Sequence, residues 1–335
     1  MNNIFCYAPK ELTTDAFLNW LFIELNDNQN AKAARSFFYR MGLSEKATCA
    51  ISDIEVQRQV EHTDLIVSYN MNGERRQALF ENKTYSTFRE NQLNDYKKKF
   101  PDFSYYKYLK LAFINFSERH SVYESGYEVI GAKTFYSALQ QIDSKHYLIK
   151  QYLDFLEYEY ILPLQKIESE LCAQNSYSLF YEAQAQQFFL STLYEELLGS
   201  VSYLFLETNY NPDGTPFTLL SIAKREDAYD ANPEYLWWRI DMRSNKFYLR
   251  LNQWSGISAS SWESKQQNLE SLRSITEKIC SKYSLKLGKV INKGHKESEV
   301  IIFFFEENEL LELSKILVSL SCEISQSYMS TKSWV

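Results

Sequence analysis

Glycine and proline are scarce, nine and six in 335 residues, which excludes a Gly/Pro-rich linker protein or a repetitive fibrous chain. Five cysteines, at 6, 49, 172, 280 and 322, are scattered with no CxxC pair, and the four histidines do not cluster with them. Neither a disulfide framework nor a zinc site is expected. The longest wholly apolar run, 300–305, is far too short to cross a bilayer. The N-terminus lacks a basic region followed by an apolar one, so no signal peptide is expected, and a cytoplasmic location is. Positive charge is also short: the formal net charge is −7. That argues against a uniformly basic polyanion binder but leaves room for a basic strip on one face. What the chain does have is 45% hydrophobic residues and a high aromatic share, the composition of a compact globular protein. Its length suits two domains.

The most informative stretch runs from Asp64 to Tyr96. Asp64 precedes a strand-like run, Leu65-Ile66-Val67, and Ala78-Leu79-Phe80 leads into Glu81-Asn82-Lys83. Between them Asn72-Gly73 is a tight-turn signal, so the two runs can pair as a hairpin. Side chains alternate along a strand, which puts Leu79, Glu81 and Lys83 on one face. Two carboxylates at adjacent strand ends suit a hard divalent cation, and a lysine beside them can orient a water for phosphodiester hydrolysis. Thr87 and Glu90 read as a capping box that starts a helix near Phe88. On that helix Gln92 and Tyr96, four residues apart, point the same way, and Phe100-Pro101 closes it.

In these residues the chain resembles the PD-(D/E)xK nuclease superfamily, which includes many restriction endonucleases and junction resolvases. The resemblance rests on Asp64, on Glu81-Asn82-Lys83, and on Asn91-Gln92-Leu93 with Tyr96. An opening of Asn3-Ile4-Phe5, Lys10-Glu11-Leu12 and Asp15-Ala16-Phe17-Leu18-Asn19-Trp20-Leu21 adds to it. The proline of the name is missing, since His62-Thr63 precede Asp64. The likeness covers the first third of the chain. It implies a restriction-endonuclease-like α/β (α+β) core, a mixed central sheet flanked by helices. It implies Asp64 and Glu81 as ligands to Mg2+ (or Mn2+ in its place), with the Asn82 carbonyl as a third. It also implies Lys83 as the catalytic lysine, Gln92 as an active-site helper, and an acidic residue of the first helix, Asp15 or Glu11, reaching the metal. Those two acids have an ordinary explanation as well, because negative charge is favourable at a helix N-terminus. Glu55, on the 54–59 stretch, is a weaker candidate that reads more readily as a strand-surface charge. An E-x-K triplet alone is common on solvated strand edges; the joint pattern carries the reading.

A nuclease needs positive surface, and Lys97-Lys98-Lys99, Arg75-Arg76 and Tyr96 are the nucleic-acid-contact candidates, with Lys107 and Lys110 nearby. Lysines at a helix C-terminus are also favoured by the dipole. Further along, a buried strand is expected at 105–116, another at 127–131, and a helix at 133–142. A long helix at 145–172, kinked at Pro163, and a second helix at 179–198 follow. The Asn, Pro, Asp and Gly of 209–216 read as a boundary. Beyond it lie strands at 235–241 and 246–254, a helix at 261–283, a strand at 299–306 and a helix at 308–325. Trp237, Trp238, Trp254 and Trp262 fall there and are expected to pack mainly in a core. The expected domains are a nuclease core at 1–145, a helical extension at 146–208 and a C-terminal α+β accessory module at 209–335.

The function expected is a Mg-dependent endodeoxyribonuclease serving DNA processing or defence against foreign DNA, with DNA as partner and no membrane. A homo-oligomer or an activating partner would engage the helical or C-terminal region. The alternatives are a partner- or ligand-gated nuclease acting on RNA or DNA, and a non-catalytic nucleic-acid-binding protein on the same fold.

Overall fold

A computed structural model describes residues 3–7, 10–142, 146–173, 180–229, 232–243, 246–255, 262–283, 287–288, 297–304 and 310–330. The chain is mixed α and β and divides into two units. The first comprises Met1–Ile114 and Glu118–Lys166, the second Asn115–Ser117 and Ile167–Val335.

The first unit opens with helices α1 (Lys10–Leu25) and α2 (Ala31–Arg40), then strands β1 (Ile51–Arg58), β2 (Leu65–Met71) and β3 (Glu74–Lys83). These strands form an antiparallel meander with Leu65 opposite Phe80 and Val67 opposite Ala78. The β2–β3 turn is Asn72-Gly73, both at positive φ, the two-residue geometry that follows the twist of the flanking strands. Helix α3 (Gln92–Lys99) then carries the chain over to β4 (Tyr105–Lys110), which is parallel to β3. After α4 (Phe116–Glu124), β5 (Glu128–Gly131) adds parallel to β4, giving the order β1-β2-β3-β4-β5. Helices α5 (Ala132–Gln140), α6 (Tyr147–Leu156) and α7 (Leu162–Ala173) follow.

Alternation gives this sheet two buried faces. Leu65, Val67, Tyr69, Ala78 and Phe80 join one core with Phe17, Leu18, Leu21 and Phe22 of α1 and with Phe135, Tyr152 and Phe155. Leu79, Tyr106 and Tyr108 pack on the opposite face with Leu93 and Tyr96 of α3. Strand β3 is thus covered on both sides, and its C-terminal residues alternate between α1 and α3.

Several local expectations change. Helix α3 begins at Gln92, not near Phe88. The N-cap position falls to Asn91, which is left-handed and makes no side-chain cap, while the Arg89 N–H donates to the Gln92 side chain at 2.9 Å just ahead of the helix. The strand expected at 105–116 ends at Lys110, where its neighbours β3 and β5 also end, and α4 begins at Phe116. At Pro163, a π-helical turn, Glu157–Ile161, separates α6 from α7; proline lacks an N–H and crowds the carbonyl four residues back. The segment 146–208 is not a separate layer: α6 belongs to the first core and α8 (Ala183–Leu197) to the second.

The second unit holds β6 (Phe205–Tyr210), β7 (Pro216–Tyr229), β8 (Asn232–Arg243), β9 (Lys246–Ser255) and β10 (Glu297–Phe304), all antiparallel in the order β10-β9-β8-β7-β6. Stretch 209–216 proves to be the β6–β7 hairpin turn, closed by Asn211 and Thr215, not a boundary; turn chemistry is the same in both settings. One sheet face packs with α8, α9 (Trp262–Ser281) and α10 (Leu310–Ser330) through Leu220, Leu236, Leu249, Leu269 and Leu317. Trp238 is buried there and donates to Ser321 at 2.7 Å. Trp237 and Trp254 lie on the other face, half-buried, with ring centroids 6.1 Å apart. The Trp262 side chain, the β8–β9 connection at 244–245 and residues 305–309 lie outside the described residues.

Tyr152 is fully buried, stacks on Phe17 at 3.7 Å and donates to Thr14 at 2.8 Å. In urea denaturation, Tyr152→Phe is expected to cost about 1 kcal/mol and Tyr152→Ala about 3–5 kcal/mol. Equal losses would show that the hydroxyl, not the ring, dominates.

Candidate active site

The site forms where β2 begins and β3 ends. Residues Gln59, Glu61 and His62 are all at positive φ, so the chain turns sharply before Asp64, a conformation that costs about 1–3 kcal/mol per residue. Tyr96 holds this turn: its hydroxyl donates to the His62 carbonyl at 2.6 Å. Asp64 then sits at the mouth of β2, where its carboxylate accepts the Asn82 main-chain N–H at 2.7 Å.

Glu81 and Lys83 share the α3 face of β3, as alternation requires. Lys83 Nζ stands 2.6 Å from Glu81 Oε1, and Gln92 Nε2 donates to the same oxygen at 2.7 Å. Gln92 also donates to the Tyr96 hydroxyl at 3.0 Å. Asn82 points the other way, toward α1, where its amide donates to Asp15 and to the Glu11 carbonyl, each at 3.0 Å. Glu11 Oε1 accepts from the Thr84 N–H at 3.0 Å and the Ser86 hydroxyl at 2.6 Å. Of the two first-helix acids, Glu11 fastens the loop after β3, while Asp15 faces Asn82 and feels the charge of Asp64.

Crowded negative charge sets the electrostatics. Burial first, and the neighbouring Asp64 second, push Glu81 up to about 7 despite its ion pair with Lys83. Burial, with Asp64 again, pushes Asp15 up to about 6. Burial also raises Asp64, outweighing the Asn82 main-chain N–H and the charge of Lys83, which pull it down. Lys83 is raised on balance, because Glu81 and Asp64 outweigh the cost of its burial. One lysine offsets one carboxylate and leaves the surplus to be met by protons or by a cation.

The donor set suits a hard cation. Glu81 Oε2 is buried with no hydrogen-bond partner, and carboxylate oxygens are what Mg2+ selects. Asp64 and Glu81 would hold it, with Asp15 behind them. Among the described residues no group of three or more His, Cys, Asp or Glu stands together as a metal cluster.

The basic candidates are engaged elsewhere. Lys98 pairs with Asp95, Lys99 with Glu61, Arg75 with Glu55 and Arg76 with Glu74, at 2.5–3.4 Å. Lys97 donates to the Ser125 carbonyl and lies over the Tyr106 ring. Tyr96 is buried, its hydroxyl spent inside the site. Lys107 and Lys110 are buried sheet residues paired with Glu128 and Glu118. Lys110 also donates to the Ser86 carbonyl at 2.7 Å. Thr84, Ser86 and the Asn82 side chain are the site-building groups the sequence reading did not single out; the small polar residues just past Lys83 were the available signal.

The raised carboxylates fix a pH dependence. A folded-state pKa above the unfolded value gives stability that is full below the unfolded pKa and lost as pH rises through the folded one. The metal-free chain is therefore expected to lose thermal stability between about pH 4.5 and 7 through Glu81. Melting curves in EDTA should show Glu81→Gln flattening that fall and melting above the parent at pH 8; a parallel fall in the variant would contradict the assignment. No protein-family model, no curated protein and no solved structure matches this chain.

Proposed function

We propose that this chain is a magnesium-dependent nuclease of the PD-(D/E)xK type, hydrolysing phosphodiester bonds of DNA. The observation that carries the reading is the convergence of Asp64, Glu81, Lys83 and Gln92 at one strand end, with Glu81 Oε2 left without a partner. Three antiparallel strands continuing into two parallel ones, with helices on both faces, support a restriction-endonuclease-like core for the first unit.

Asp64 and Glu81 would hold the cation, which when bound polarises the scissile phosphate and lowers the pKa of water. The side chains do the rest. Gln92 fixes one Glu81 oxygen and leaves the other for the ligand. Lys83 sits next to the carboxylate with its charge retained; there it can orient the attacking water and offset negative charge building on the phosphate oxygens. Asn82 sets the distance between Asp64 on one side and Asp15 on the other. Partial burial keeps bulk water from screening these charges.

Supercoiled, linear and single-stranded DNA, and RNA, should be incubated with the purified protein in Mg2+, Mn2+ or EDTA. Metal-dependent cleavage of DNA is expected. Glu81→Ala and Lys83→Ala should each lower it by about 10²–10³-fold, and Gln92→Ala, which acts through Glu81, by about 10–100-fold. Activity in EDTA, or variants as active as the parent, would refute the mechanism. Mg2+ at pH 8 should also raise the thermal midpoint, because a ligand held only by the folded state stabilises it. Asp64→Asn should abolish that rise, a readout independent of turnover.

A further inference from the structure

The expected phosphate contacts, Lys98, Lys99, Arg75 and Arg76, each have a carboxylate within 3.4 Å. Such surface pairs are individually weak, so a phosphate could displace them. The carboxylate nevertheless stays beside the cation, and the net field offered to a polyanion is close to neutral. A chain of net charge −7 must then draw its phosphate affinity from cations that no acid already holds.

Two arginines next to the site meet that condition. Arg58 is exposed at the end of β1, opposite Leu65 in the β1–β2 register and therefore beside Asp64. The following residue, Gln59, donates its N–H to the Asp64 carbonyl at 3.3 Å. The positive charge of Arg58 reaches the site interior, where it counts among the influences on Asp15. Arg89 is exposed on the loop joining Lys83 to α3. Its N–H is held by Gln92, which in turn binds Glu81. Among the described residues neither guanidinium takes part in an ion pair or a side-chain hydrogen bond. One arginine arises on the β1 side of the carboxylates and the other from the loop beyond β3.

We infer that Arg58 and Arg89 are the phosphate contacts of this site, gripping a nucleic-acid backbone on the two sides of the Asp64–Glu81 pair, while Lys97–Lys99 and Arg75–Arg76 serve the fold. The inference rests on the nuclease reading and deepens it. A planar guanidinium donates two parallel bonds to phosphate, which fixes register as well as affinity. Substrate would lie across the strand ends, not along α3.

The test is fluorescence anisotropy of a labelled DNA oligonucleotide, single- and double-stranded, titrated with the full chain carrying Glu81→Ala to prevent cleavage. Arg58→Gln and Arg89→Gln are each expected to weaken binding about fivefold and to lower the slope of log Kd against log salt by about one. Lys98→Gln and Arg76→Gln should change Kd less than twofold, and Arg58→Lys should restore the salt slope. In the cleavage-competent chain the two arginine variants should raise KM more than they lower kcat. Arginine variants that bind and cut like the parent, or a salt slope carried by Lys98 and Arg76, would overturn the inference and leave the nuclease reading intact. A parent that neither binds nor cuts DNA would sink both. Melting curves for every variant separate lost binding from lost folding.

Discussion

Asn82 joins three elements at one point. Its main-chain N–H takes Asp64 from the mouth of β2, and its side-chain amide takes Asp15 and a carbonyl from α1. It sits between Glu81 and Lys83 on the strand, so the same alternation that sends them toward α3 sends Asn82 toward α1. Replace its side chain and Asp15 loses its amide donor and α1 one of its ties, while the main-chain N–H still serves Asp64. The remaining features of the site, from the raised carboxylates to the lysine offsetting only one of them, follow from holding several acids in a space with little water.

The supporting shell is arranged to the same end. Tyr96 pins the left-handed turn before Asp64, Gln92 selects which Glu81 oxygen stays open, and Glu11 ties the Thr84–Ser86 loop to the start of α1. Lys110 holds that loop from the sheet side while sharing Glu118 with Tyr108. A buried lysine so close to Lys83 would repel it were its charge not met by Glu118, which is nearly fully buried too.

How much of this was legible in the sequence depends on range. Asn72-Gly73 announced its hairpin because few other pairs accept positive φ at both positions, and Glu81-x-Lys83 announced a shared face because strand alternation is rigid. The Thr87–Glu90 capping box misled because a local signal lost to a competing one, the Gln92 side chain bonding Arg89. The 209–216 turn misled because hairpins and linkers use the same residues. Lys107 and Lys110 could not be read as buried, since their partners Glu128 and Glu118 come from other elements. The pairing of Lys99 with Glu61 and of Arg75 with Glu55 was equally hidden, since those acids come from other elements, whereas Asp95 and Glu74 lie within three residues of Lys98 and Arg76.

Chain distance also orders assembly. Asp64 and the Asn82 N–H are 18 residues apart and linked through one hairpin, whereas Asp15 and the Asn82 amide are 67 apart. Closing the longer loop costs about 1 kcal/mol more in chain entropy. Asp64 and Asn82 thus meet through one local hairpin, whereas Asp15 reaches Asn82 only once α1 has docked. A hairpin formed before the first helix arrives would already hold Asp64 and Glu81 beside each other. Pulsed hydrogen exchange would test that order: β2 and β3 amides should be protected ahead of those in α1, and simultaneous protection would rule the sequence out.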